Sequence, residues 1–202
     1  MKQELLIGIT ESGVMHTDAD PPIPLETKFQ MVKESGVYDY LDKTPPLELE
    51  DDYRRCSEKY ELPILAGGWF YVLGRDEDLL MENLRLGARL GSLVHNTQII
   101  MDHQDGSLVS DEQVVEIYLR AYETGETCGC RPTFEVHVNM WSEDFRRIEK
   151  VADLVEKQGI PFRMTLDHSH VIFKIDNPRE QEVFNIRESI ENGDLVLDPF
   201  QD

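Results

Sequence analysis

Two short stretches of this sequence place acids and imidazoles where apolar strands come to an end. The first is "TFEVHVN", which carries Glu135 and His137, and the second is "TLDHSH", which carries Asp167 and His170. Residues two apart on a strand point to the same face, so Glu135 and His137 share one. An acid and an imidazole facing the inside of a protein are costly unless they are paired or bind a metal.

The alternation in "FRMTLDH" aims Asp167 inward, at the end of the strand expected beside the one that carries Glu135. Neighbouring strands lie about 4.8 Å apart, so the two carboxylates can share one cation. In the alternative interpretation Asp167 caps a turn, as strand-end aspartates often do, and the imidazoles are surface decoration. Two adjacent strands deliver the whole group to one place, which favours a metal or substrate site.

Six apolar runs, each followed by a helical pattern, would position these groups. The predicted strands are 5–10, 36–42, 62–70, 92–100, 133–139 and 162–168, and the predicted helices are 24–35, 47–61, 75–91, 110–125, 142–159 and 177–193. Ser110 and Ser142 suit helix N-caps, and Gly125 suits a helix end. Strands alternating with helices predict a parallel sheet with helices outside.

Two α/β architectures compete for this pattern. A doubly wound sheet usually has a glycine-rich turn after its first strand, and "TESGVMHTDADPP" is a poor phosphate cradle. A (β/α)8 TIM barrel gathers its site at the carboxyl ends of the strands. The polar residues favour the barrel, because the following all fall at or just past strand ends: Glu11, Asp42, Trp69, Gln98, His103, Glu135, His137, Asp167 and His170.

A barrel needs eight units, and residues 1–202 supply about six, so we expect a single, incomplete barrel domain that lacks the last two. Three explanations stay open: a fragment of a longer protein, a subunit completed by another chain, or a six-unit open sheet. Exposed sheet edges seek pairing, so we expect a homo-oligomer or a partner that completes the barrel.

Charge and composition narrow the function. There are 40 acidic and 20 basic residues, a net charge of −20, which argues against a nucleic-acid partner. No apolar run reaches the roughly 20 residues of a membrane span, and no secretory signal is evident, so no membrane partner is expected. Three cysteines make no disulfide framework, which places the protein in the reducing cytoplasm.

At "FEVHVN" and "TLDHSH" the sequence resembles the xylose isomerase-like TIM-barrel superfamily of sugar (phosphate) isomerases and epimerases. The resemblance implies that Glu135 and Asp167 are metal ligands and that His170 contacts substrate hydroxyls beside the metal. It also implies a metal-binding His on a seventh strand and a Glu, both ligand and base, on an eighth, and the sequence has neither strand. Isomerase or epimerase activity is therefore expected only if a longer chain or a partner supplies these ligands.

The resemblance implies proton transfer at a carbon next to the carbonyl of a sugar or polyol, and the residue types suit that chemistry. Carboxylates bind a hard cation and can also move the proton, so Glu135 is the catalytic candidate. Mn²⁺ or Mg²⁺ suits such a site, with Zn²⁺ as the alternative. Substrate contacts are expected from His170, His137, His103, Gln98 and Trp69. No basic cluster suggests a phosphate clamp, which favours an unphosphorylated substrate. Two alternatives remain, a metal-assisted lyase or deglycosidase and a non-catalytic barrel subunit or binding protein.

Overall fold

A computed structural model of the protein describes residues 5–14 and 21–170, which form six parallel strands with helices between them. The strands are β1 (Gly8–Thr10), β2 (Tyr40–Asp42), β3 (Ile64–Tyr71), β4 (Val94–Ile99), β5 (Arg131–Val136) and β6 (Met164–Leu166). The helices are α1 (Leu25–Ser35), α2 (Glu50–Tyr60), α3 (Glu77–Leu90), α4 (Asp111–Cys128) and α5 (Phe145–Glu156). Single 3-10 turns span Glu11–Gly13, Leu47–Leu49 and Trp141–Glu143.

The strand order identifies the architecture. The six strands pair in the order in which they occur in the chain, β1-β2-β3-β4-β5-β6, and every pair is parallel. A doubly wound sheet reverses its order at a switch point, whereas a barrel adds each strand beside the last. The sheet curls into a half-barrel with the helices outside, so the prediction of an incomplete α/β barrel is confirmed.

The apolar core lies between the convex face of the sheet and the helices. One cluster joins β3, β4 and β5 to α3, α4 and α5, and the fully buried Phe134, Tyr118 and Trp141 lie in it. A smaller cluster joins β2 to α1 and α2 around Phe29 and Leu41. This apolar layer occupies one face of each strand, which leaves the alternate residues on the concave face free to be polar.

Two predicted helix boundaries are wrong. Helix α4 starts at the predicted cap, where Ser110 and Gln113 form a capping box, but it runs through Gly125 to Cys128. A Cβ on Gly125 would lie 2.6 Å from the carbonyl oxygen of Cys130, so this glycine permits close packing inside the helix and does not end it. Helix α5 is capped by Asp144, whose side chain accepts a hydrogen bond from the backbone N–H of Arg146.

Several strands are shorter than predicted. Residues 36–39 form a connection because Gly36, at φ +65°, caps α1. β5 ends at Val136, so His137 is the first residue beyond the strand. The helix predicted at 177–193 lies outside the described residues. None of the helices in the described part of the chain combines the length and apolar character needed to span a membrane.

Candidate functional site

Strands β5 and β6 place Glu135 and Asp167 at one end of the concave face. In the register of the two strands Glu135 is opposite Thr165. The hydroxyls of Thr133 and Thr165 lie 2.7 Å apart, as expected for inward-facing residues on neighbouring strands. Period two then puts Glu135 and Asp167 on that same face, while Phe134 packs outward into the core.

Glu135, Asp167 and His170 form a group that can hold a metal ion. Each offers one ligand atom, and these atoms all lie within 4.8 Å of one another. Glu135 is buried, and the other two are partly buried. Asp167 and His170 are themselves close, with Oδ2 and Nε2 3.6 Å apart. Two carboxylates and one imidazole are a donor set that suits a divalent cation such as Mn²⁺.

The carboxylate of Glu135 is held in position from the neighbouring strand. Asn96 donates from Nδ2 to Oε2 at 2.8 Å, and Gln98 donates from Nε2 to the same oxygen. None of the described residues donates to Oε1, which is left available to a cation or a substrate. Both amide side chains come from β4 and face inward, because Asn96 and Gln98 are two residues apart.

Asp167 is kept anionic by the turn that follows it. Its Oδ1 accepts from the backbone N–H of Ser169 at 2.8 Å and from the Ser169 hydroxyl at 2.6 Å. Burial acts to raise the pKa of Asp167, but these hydrogen bonds, together with the charge of His170, hold that pKa below its usual value. Burial, aided by nearby His137, lowers the pKa of His170, which favours the neutral imidazole at pH 7.

Rings form a wall beside this group. The centroids of His137 and His170 are 3.6 Å apart, and Phe70 meets His137 edge to face at 5.8 Å. His137 Nδ1 lies 2.6 Å from the carbonyl oxygen of Val138, which can only accept, so Nδ1 carries the proton. His137 and His170 therefore come together as the sequence predicts.

A cavity of about 520 Å³ opens on the concave face beside Glu135. Its wall includes two of the predicted substrate contacts, Trp69 and Gln98. Trp69 and Phe70 are 45% and 46% exposed, so both leave apolar ring surface open to a ligand. The remaining lining is mostly polar: Thr10, Glu11, Ser12, Asp42, Lys43, Thr44, Gly68, Asn96 and Glu135.

Glu11 also lines this cavity, and both of its carboxylate oxygens are paired with lysines. Lys28 binds its Oε1, and Lys43 lies 2.9 Å from its Oε2. Burial acts to raise the pKa of Glu11, but the two lysines outweigh it and hold that pKa below its usual value. The lysines nearest the cavity are thus already paired with a carboxylate.

The structure does not bring His103 to this cavity. His103 lines a separate, smaller hollow with Leu73 and Glu77, and its Nδ1 lies 3.1 Å from Asp105 Oδ1. Its ring packs so closely on Gly74 that a Cβ there would lie 2.6 Å from Cε1. The strand-end position alone suggested His103, but the turn after β4 carries it elsewhere.

Asn96 is a site residue that sequence reasoning passed over. The signal for it was its spacing, because it lies two residues before Gln98 and therefore shares its face. Gln98, predicted to contact substrate, lines the cavity and also donates its amide to Glu135.

The fold matches solved structures of xylose isomerase-like barrels. A 3-keto-D-glucoside 4-epimerase from E. coli gives a TM-score of 0.62 at 12% identity, over 96% of this chain and 77% of that one. A sugar phosphate isomerase/epimerase from Parabacteroides distasonis gives 0.57 at 12% identity, over 90% and 72%. A xylose isomerase domain protein from Planctomyces limnophilus gives 0.60 at 10% identity, over 90% and 70%.

At such low identity this likeness shows the fold alone, and in fold it agrees with the xylose isomerase-like TIM-barrel resemblance seen in the sequence. The sequence matches no protein-family model and no curated protein.

Proposed function

We propose that the protein is a metal-dependent sugar isomerase or epimerase that moves a proton at a carbon next to a carbonyl. The observation that carries this proposal is the convergence of Glu135, Asp167 and His170, whose ligand atoms lie within 4.8 Å of one another. They converge at the carboxyl ends of β5 and β6, where barrels of this fold build their sites. Two of the solved structures with this fold are named as sugar epimerases or isomerases.

The residues present fit a divalent cation. Oε1 of Glu135 has no donor among the described residues, and Asp167 is held anionic beside it. A bound cation would polarise the substrate carbonyl and stabilise the enediolate. Mn²⁺ is the first candidate and Mg²⁺ the second, because carboxylates dominate the set, and the imidazole makes Zn²⁺ the third. Further ligands would come from residues outside the described part of the chain or from a partner.

The residues of this site then have separate roles. Glu135 takes the proton from the substrate carbon, and Asn96 and Gln98 hold its carboxylate in position through Oε2. Neutral His170 donates a hydrogen bond to substrate hydroxyls. Trp69 and Phe70 offer ring faces to the C–H surface of a sugar at the mouth of the cavity.

A neutral sugar or polyol suits the cavity better than a sugar phosphate. Tight phosphate recognition uses cationic groups, best of all the planar fork of arginine. The cavity wall contains no arginine within the described residues, and its lysine, Lys43, is paired with Glu11. The net charge of −20 also disfavours a nucleic-acid substrate.

Calorimetric titration of Mn²⁺ separates the proposed roles. Asp167→Asn should lose most of the affinity of the wild type, because the amide keeps the shape of the side chain and removes its charge. His170→Asn should leave the affinity nearly intact if His170 contacts only substrate, and an equal loss in this variant would make it a third ligand.

Asp105→Asn is a matched control. Asp105 also accepts hydrogen bonds from the backbone and hydroxyl of a serine two residues later, Ser107, and also lies beside a histidine. It belongs neither to the group around Glu135 nor to the cavity wall. It should bind Mn²⁺ like the wild type. Equal affinity in wild type and Asp167→Asn would rule out the ligand assignment.

We also infer that the protein self-associates or binds a partner, and that it works in the reducing cytoplasm. β1 and β6 are the outer strands of the described sheet, and Leu5, just before β1, is 87% exposed. Unpaired strand edges and exposed apolar residues favour association. Cys56, Cys128 and Cys130 are all free thiols, as a reducing compartment would keep them.

A further inference from the structure

Asp42 is the last residue of β2 and lines the same cavity as Glu135. It is opposite Ala66 in the register with β3, and from there the inward face continues through Gly68 and Asn96 to Glu135. β3 and β4 therefore separate the two carboxyl groups, which approach the cavity from different strands.

A glycine lies in the cavity wall between the carboxyl groups of Asp42 and Glu135. Gly68 faces the cavity between β2 and β4, and a Cβ there would lie 2.9 Å from the backbone carbonyl oxygen of Asn96. At this position β3 places no side chain between Asp42 and Glu135, and the next inward-facing residue of β3, Phe70, lies opposite Gln98 further along the wall. A ligand lying over Gly68 would have one carboxyl group on each side.

Asp42 is also the one acid in the wall of this cavity that has no hydrogen-bond or ion-pair partner among the described residues. None of those residues donates a hydrogen bond to its carboxyl group or forms an ion pair with it. The adjacent Lys43 turns instead to Glu11, which already holds Lys28. A half-buried carboxyl group with no partner among the described residues costs stability, which points to a functional reason for keeping it.

The surroundings shift the protonation equilibrium of Asp42 towards the neutral acid. Burial raises the pKa of Asp42, and the negative charge of Glu135 raises it further, while Lys43 only partly offsets the two. Glu135 accepts hydrogen bonds from two amides, whereas Asp42 accepts none from the described residues, so the two carboxyl groups have different environments in one cavity. Enzymes divide acid and base roles between two carboxyl groups through such differences.

We propose that Asp42 is the second acid–base residue of an epimerisation, acting on the face of the substrate opposite Glu135. This rests on the function proposed above. Glu135 removes the proton from the carbon beside the carbonyl, and the electron pair of the C–H bond moves into the enediolate. Asp42 then delivers its proton to the same carbon from the other face, and the carbonyl re-forms.

The proton balance of this step defines the test. Glu135 ends protonated and Asp42 ends as a carboxylate, and exchange with water restores both. In D₂O, Glu135 alone can remove the proton, exchange it for a solvent deuteron and return the deuteron to the same face, which labels the recovered substrate without inverting it. Inversion requires Asp42. The two acids can therefore be distinguished by following label and configuration separately.

The experiment uses the full chain with Mn²⁺ in D₂O and a 3-keto-D-glucoside as the probe, with mass spectrometry for label and NMR for configuration. Wild type should label the substrate and form the epimer. Asp42→Asn should still label recovered substrate but form epimer at least about 100-fold more slowly, the usual contribution of an acid–base group. Glu135→Gln should lose both.

The control is Asp51→Asn, an aspartate on α2 whose side chain is 94% exposed, and it should behave as wild type. Mn²⁺ affinity, measured by calorimetry, should be unchanged in Asp42→Asn. Epimer formation within a few fold of wild type, or a loss of Mn²⁺ affinity as large as that of Asp167→Asn, would overturn the role of Asp42 alone. A wild type that neither labels nor inverts the probe would overturn the proposed function as well.

Discussion

The hydrogen bond from Gln98 to Glu135 gives a sharp test of how the site is held. Gln98→Met keeps the length of the side chain and removes the amide that donates to Oε2, so that only Asn96 still orients the carboxylate. A hydrogen bond to a charged group contributes about 1.5–3 kcal/mol. Because this bond also forms without the ion, only part of that free energy bears on metal binding, and removing the partner of a metal ligand typically lowers metal affinity about 10- to 100-fold.

Calorimetric titration of Mn²⁺ measures this effect directly. The matched control is Gln30→Met, because Gln30 also donates its amide to a glutamate, Glu34, at 2.7 Å, but does so on the exposed face of α1. The control should keep wild-type affinity. If Gln98→Met bound Mn²⁺ as tightly as the wild type, the carboxylate of Glu135 would not depend on Gln98, and the positioning argument would be wrong.

Three further predictions concern folding and association. Burial lowers the pKa of His95 to about 3. As the pH falls through about 6.5, His95 therefore binds a proton in the unfolded state but stays neutral in the folded state. From pH 7 to pH 5 the wild type should therefore lose about 2 kcal/mol more unfolding free energy than His95→Gln in urea titrations; equal losses would contradict this. Ser110→Ala breaks the capping box of α4 and should cost about 1 kcal/mol while Mn²⁺ affinity stays unchanged; an unaltered urea midpoint would refute the cap. Sedimentation velocity should show a dimer or larger species, and a monodisperse monomer would count against open edges at β1 and β6.

The sequence by itself determined the architecture and the face of the sheet on which Glu135 and Asp167 lie. Alternating apolar runs and helical patterns predicted six parallel strands in chain order, because a buried strand and an amphipathic helix each leave a periodic signature. Period two was enough to place Glu135 and Asp167 on one face of neighbouring strands. These features depend on residues close in sequence, so local physics decides them.

The ends of the helices depended on contacts beyond the local sequence pattern. Glycine is a residue type that commonly ends helices, yet α4 continues past Gly125. The glycine is needed there because the backbone of Cys130 comes so close that no side chain would fit. Likewise, nothing local shows that Lys43 pairs with Glu11, nor that its neighbour Asp42 has no partner among the residues that the structure describes.

The clearest example is a pair of groups with the same local chemistry. Asp105 and Asp167 each accept from the backbone and hydroxyl of a serine two residues later, and each lies beside a histidine. The sequence proposed His103 and His170 alike as site residues. Only the tertiary structure separates them, because the curl of the sheet brings Glu135 to Asp167 and His170, while the turn after β4 packs His103 against Gly74. A metal site needs ligands from strands far apart in the chain, and no local pattern fixes their distance.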